Sequence, residues 1–163
     1  FFKPEQMQQV IAQTLEGKRY TNINFLPFLK TNSEVNELLN AIDIDLTGLS
    51  GAEGWNLPAF NASCLGKWSV VLNNTSHKDW ATKGNSILIE PSGTEEIYDG
   101  AFFHKGQDFN QGNMNSFSEE SFSNATEDAI NKCNTNNEEG IKLKDKFSYS
   151  NTINSILKLI EHE

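Results

Sequence analysis

Cations are scarce in this chain. Thirteen Lys and Arg stand against 22 Asp and Glu, a net charge of −9 over 163 residues. No window is strongly basic, and an acidic surface repels nucleic acid and anionic lipid at long range, so neither is expected as a partner. Long hydrophobic runs are missing too. The longest, such as Ile87-Leu88-Ile89, have strand length, so no transmembrane segment and no signal peptide is expected. Cysteine is limited to Cys64 and Cys133, far apart and without a metal-ligand pattern; both read as free thiols. No acidic or His/Cys cluster suits a divalent cation, and no metal or cofactor is expected. Sequons at Asn61, Asn73, Asn74 and Asn124 are expected by chance in so Asn-rich a chain. They read as silent, and the location as cytoplasmic.

What is present is an alternation of helix and strand signals. Pro4 with Met7, Val10, Ile11 and Leu15 predicts an amphipathic helix stopped at Gly17. Ile23 to Phe28 reads as a strand, and Glu34 to Asn40 as a helix capped by Asn32 or Ser33. Ile42 to Leu46 is a strand with Ile42, Ile44 and Leu46 alternating with Asp43 and Asp45. Pro58 opens a helix closed at Gly66, and Trp68 to Leu72 has the composition of a buried parallel strand. A helical turn at His77 to Thr82 and a strand at Ser86 to Ile89 follow. Gly100 to Ser116 reads as an irregular loop with a short strand at Ala101 to Phe103. Ser118 starts a helix to about Asn131, and a last helix, Thr152 to Glu161, carries Ile153, Ile156, Leu157 and Ile160 on one stripe. This order predicts one α/β domain over 1–163, a Rossmann-like parallel sheet flanked by helices. Because the chain begins at Phe1, it is read as N-terminally truncated.

Ligands of an open parallel sheet bind beyond the carboxyl ends of its strands. Two loops stand there. In the first, Ser50-Gly51-Ala52-Glu53-Gly54-Trp55-Asn56-Leu57-Pro58, glycines permit close backbone approach and the helix start offers N–H groups to a phosphate. Glu53 is placed to accept from sugar hydroxyls, and Asn61, one turn into the helix, to reach a ribose. The same residues also read as a solvated Glu on an ordinary Gly-rich turn. In the second loop, Asn73 to Trp80, His77 reads as a donor to phosphate or hydroxyl, or as a surface residue. Asp79 there reads as an acceptor, or as the cap of a turn. His104 and His162 have no partner pattern.

Glu53-Gly54-Trp55-Asn56-Leu57-Pro58, with Ala62, Gly66 and the strand from Lys67, resembles the signature of the retaining GT-B glycosyltransferases (glycosyl transferases group 1, family 4-like). That signature is Glu-Gly-aromatic-Gly-Leu-Pro, a second Glu, then Ala and a helix-ending Gly, and it matches at five of its first six positions. Asn22 to Pro27, Ala41 to Ile44, Asn85 to Pro91 and the terminal helix are similar to the family's flanking segments. The resemblance implies the C-terminal, donor-binding half of a GT-B fold. It implies that Glu53 and the backbone of Gly54, Trp55, Asn56 and Leu57 hold the sugar and diphosphate of a nucleotide-sugar, without a metal. His77 and Asp79 then face the donor, and Pro27 and Phe28 pack on its base, although Phe28 reads equally as core. Two departures stand out. Asn61 replaces the second Glu with a neutral amide, which loses a charge-assisted bond to the ribose. Asn56 replaces Gly and narrows the sugar pocket.

The family's phosphate-binding Arg and Lys are not found, and the acceptor would sit in a missing N-terminal domain. The chain is therefore expected to be part of a hexosyltransferase and inactive alone. Two further readings stand beside this one: a non-catalytic nucleotide-sugar-binding module, and a structural Rossmann-like domain. A severed half is expected to expose its interdomain face and to dimerise, with the Thr152 to Glu161 helix as that face.

Overall fold

The β-branched run Trp68–Leu72 forms the middle strand of a three-stranded parallel sheet. The computed structural model describes residues 4–99 and 102–161, in two units divided between Asn32 and Ser33. Ala101 and His162 lie outside the described residues.

The first unit holds α1 (Pro4–Thr14), which ends before a glycine with positive φ, Gly17. An apolar cleft of about 610 Å³ lies between Ile11 and Leu15 of this helix and Tyr20, Ile23 and Phe25. The strand expected over Ile23 to Phe28 is not formed. A strand needs a neighbour for its backbone N–H and C=O groups, and no strand lies within this unit among the described residues. Phe28, expected to pack on a base or in the core, is 87% exposed.

From the second residue of α2 (Asn32–Ala41), the second unit runs through β1 (Ile44–Gly48), α3 (Leu57–Cys64), β2 (Trp68–Leu72), a 3-10 turn (Thr75–Asp79) and β3 (Ile87–Ile89). It continues with β4 (Gly93–Glu96), β5 (Asn113–Ser116), α4 (Glu119–Lys132), α5 (Glu138–Ile141), α6 (Leu143–Lys146) and α7 (Tyr149–Glu161). β1, β2 and β3 lie side by side in that order, all parallel. The pleat sends alternate residues of β2 to opposite faces. Trp68, Val70 and Leu72 join Ile87, Ile89 and α4's Ala125 and Ala129 on one face. Val71 joins Ala59 of α3, Trp80 and Leu143 on the other. Covering both faces makes this an α/β/α layer arrangement, which is why β2 is apolar almost throughout. Full burial of Val70, Val71 and Leu72 contributes about 1.5–3 kcal/mol each.

Local signals explain the helix ends. Ser118 caps α4 by accepting from the N–H of Ser121 at 3.1 Å. Gly66, at φ 84°, ends α3: its N–H bonds Ser63 O and that of Lys67 bonds Ala62 O, each at 3.0 Å. α7 keeps its expected stripe, and the whole helix is exposed over residues 149–160. No described helix is long and apolar enough to cross a membrane.

Two expectations are corrected. Asn113–Ser116, inside what reads as loop, pairs antiparallel as a hairpin with Gly93–Glu96, to which the sequence assigns no element, while Phe102 and Phe103 lie in a bend, not a strand. In β1, Asp45 is 3% exposed and Leu46 is 37% exposed, the inverse of the expected alternation. Asp45 lies opposite Ser69, whose hydroxyl donates to Ala59 O, so its side of β1 is covered by α3 and not by solvent. Leu46 falls in a bulge: Asp45 pairs with Ser69 but Gly48 pairs with Val71, so β1 spends three steps on two of β2.

Asp45 Oδ1 accepts from the Thr47 hydroxyl at 2.8 Å, while Oδ2 is buried without a partner. Burial outweighs the hydrogen bonds from Thr47 and holds this carboxyl above the usual carboxylate range. The folded chain thus binds this proton more tightly than the unfolded chain. The resulting stability is full below the unfolded value and is lost as pH rises through the folded one. Asp45→Asn removes that loss, so its stability gain over the parent is expected to widen from about pH 4.5 to about pH 7.5. Melting both proteins at the two values tests this; a gap independent of pH would clear Asp45 as its source.

Candidate functional site

Thr47 lies within the bulge of β1, and Asn56 Nδ2 donates to its carbonyl at 2.8 Å. Asn56 has φ 62°, the left-handed region that Asn tolerates better than most residues. Its Oδ1 accepts from the Ala59 N–H at 3.2 Å and so caps α3. Asn56 therefore both holds the left-handed turn and caps the helix. Thr47, Glu53, Trp55, Asn56, Leu57 and Pro58 line an open cleft of about 490 Å³. It sits at the carboxyl end of β1 and the N-terminus of α3, where the sheet directs a ligand.

The backbone of this loop is unevenly satisfied. Glu53 N–H donates to Thr75 Oγ1 at 3.2 Å, and Gly54 N–H donates to the Glu53 carboxylate at 3.0 Å. The N–H groups of Trp55, Asn56 and Leu57 have no acceptor among the described residues. Three consecutive open donors at a helix start suit an anion. No Lys or Arg lines the cleft among the described residues.

The segment after β2 holds the loop from beneath. Asn74 Nδ2 donates to Ser50 O at 3.3 Å, Ser76 Oγ donates to Glu53 O at 2.9 Å, and Trp80 Nε1 donates to Trp55 O at 3.0 Å. Trp55 and Trp80 also meet Phe60 edge-on, and Phe147 completes the cluster. From the hairpin, Asn115 N–H donates to Gly51 O at 2.9 Å. A β-carbon on Gly51 would stand 2.0 Å from Asn115 O, so the contact requires glycine.

Of the residues expected at a site, Glu53, Trp55, Asn56 and Leu57 line the cleft together, with Gly54 in the same loop. The others stand elsewhere. His77 is fully buried, with Nδ1 2.8 Å from Leu72 O and 3.1 Å from Asn74 Oδ1. Two acceptors make Nδ1 the protonated nitrogen. Nε2 is buried without a partner, and the ring meets Trp80 edge-on. His77 is thus neither a surface residue nor a donor to a ligand in this conformation, because the apolar packing around Trp80 draws the ring inward. Asp79 and Asn61 are exposed and outside the cleft lining. Pro27 and Phe28 belong to the first unit. Asn74, Thr75 and Ser76 lie in the second loop, where only His77 and Asp79 are expected to act; Thr47, inside β1, carries no site signal in the sequence.

Fold and cleft define the class: an α/β domain with a three-stranded parallel sheet and an open cleft at a strand-to-helix loop. No family model, curated protein or solved structure matches the chain. Among the described residues, no group of three or more His, Cys, Asp or Glu is placed to hold a metal.

Proposed function

We propose that the chain is the donor-binding domain of a GT-B glycosyltransferase and holds a nucleotide-diphospho-sugar in the cleft at Glu53. The observation that carries this reading is the run of open N–H groups at Trp55, Asn56 and Leu57, directly after a carboxylate at the cleft. The N–H groups take the diphosphate and stabilise its charge as it leaves, which is electrostatic catalysis. Glu53 releases the Gly54 N–H and accepts from sugar hydroxyls. Transfer, of the retaining type by resemblance, needs an acceptor held by another domain. The exposed stripe of α7 is a face on which such a domain, or a second copy, would pack. One observation favours a second reading, a non-catalytic binding module: among the described residues the cleft has no cationic side chain to neutralise a leaving diphosphate.

The chain is titrated with UDP, GDP, ADP and their sugar conjugates, followed by thermal shift and calorimetry. A true ligand at a hundredfold excess over its Kd adds about 2.7 kcal/mol of stability. Glu53→Ala is expected to leave diphosphate affinity intact and to cost the sugar conjugate about tenfold or more, since a hydrogen bond to a charged group is worth about 1.5–3 kcal/mol. If no nucleotide shifts the melt at millimolar concentration, both binding readings fall.

A further inference from the structure

Thr75 is an anomaly. It is β-branched, exposed, and held at φ 38°, where such residues are strained. An exposed side chain gains little from packing, so burial does not explain the conformation. Its polar contacts do: Oγ1 accepts the Glu53 N–H at 3.2 Å and donates to Asn74 Oδ1 at 3.4 Å.

We propose that Asn74, Thr75 and Ser76 form a latch that presets the Glu53 loop for its ligand, with His77 as the buried post. The ligand's identity rests on the donor-binding reading; the latch does not. Asn74 is 2% exposed, and both ends of its amide are engaged. Oδ1 receives His77 Nδ1 and the Thr75 hydroxyl, and Nδ2 grips Ser50 O. Thr75 and Ser76 then take the N–H and C=O of Glu53. The loop is therefore held at Ser50 and on both sides of Glu53, just ahead of the open donors at 55–57. Backbone strain persists where surroundings over-determine it, and it gathers at ligand clamps. Donors fixed beforehand need no reorganisation when an anion arrives. Thr75, Asn74 and His77 are positioning residues here, acting through the loop.

The test uses Thr75→Gly, which relieves the strain and removes the hydroxyl, and Thr75→Ser, which keeps the hydroxyl. Backbone order parameters are measured for Gly54, Trp55, Asn56 and Leu57, with Val70 and Val71 of β2 as internal reference. In Thr75→Gly the loop values are expected to fall from about 0.85 toward 0.6 while the reference holds. The melting temperature should not drop, and Thr75→Ser should behave as the parent. A merely structural threonine would lower stability and leave the loop rigid. Parent-like order at 54–57 in Thr75→Gly overturns the proposal. Should Thr75→Gly disturb Val70 and Val71 as well, Ser76→Ala takes its place: a loss of loop order supports the latch, and parent-like order overturns it. Whichever of UDP, GDP or ADP binds the parent is expected to bind Thr75→Gly about tenfold more weakly, with recovery in Thr75→Ser; equal affinity also overturns the latch. Failure of all three nucleotides on the parent counts against the donor-binding reading alone, and the order parameters still decide the latch.

Discussion

Asn137→Ala is expected to destabilise the protein by about 3–5 kcal/mol, because it strands two buried backbone groups and one part-buried one at roughly 1–3 kcal/mol each. Asn137 is fully buried and carries no apolar load. Its Nδ2 donates to Lys67 O at 2.9 Å and to Asn85 O at 2.8 Å, and its Oδ1 accepts the Gly140 N–H at 2.9 Å. Lys67 directly precedes β2, and Asn85 lies two residues before β3. One amide thus ties the entries of two neighbouring strands to the cap of α5. Asn137→Asp is expected to do at least as much harm at neutral pH, since a carboxylate cannot donate to either carbonyl. Urea titration followed by circular dichroism reads both variants. A loss below about 1 kcal/mol for Asn137→Ala would mean that water replaces the amide in the cavity.

Trp80→Ala should rank beside it, also at about 3–5 kcal/mol. The indole is 1% exposed and touches Phe60 and His77 edge-on. Its loss empties the centre of the core on the α3 face and frees the Trp55 carbonyl. Trp80→Phe keeps most of the volume and drops the hydrogen bond, so it should cost far less; the spread between the two variants separates packing from the bond. Far-ultraviolet dichroism is the probe, because Trp80 is itself one of three tryptophans. If Phe and Ala cost the same, the hydrogen bond to Trp55 carries the effect and the packing account fails.

How far the sequence can be read depends on whether burial is local in it. Trp68–Leu72 is legible to the residue because both of its faces are covered, so its apolar run has no phase to mistake. Ser118 and Gly66 are legible because caps depend on a few adjacent residues. Asp45 is misphased because α3 covers its side of β1, and Leu46 because it falls in a bulge set by the neighbouring strand; the local alternation records neither. The β4–β5 hairpin is invisible: Gly-Thr-Glu-Glu and Asn-Met-Asn-Ser lack β-branched and aromatic content apart from one threonine, and the pairing rests on backbone bonds. At the cleft, the Glu53 loop is visible in its glycines and Pro58. The inward turn of His77 is not, because it depends on where Trp80 lies in three dimensions.

The contact between Gly51 and Asn115 bears on how this chain can change over generations. Any β-carbon at 51 would part the hairpin from the loop, so neutral drift has a single letter available there. The tether sits at β5, at the root of the hairpin, and residues 97–112 connect its two strands. Insertions and deletions in that connecting stretch are therefore expected to leave the Gly51–Asn115 contact in place, so a lineage that lengthens it inherits the same hold on the Glu53 loop.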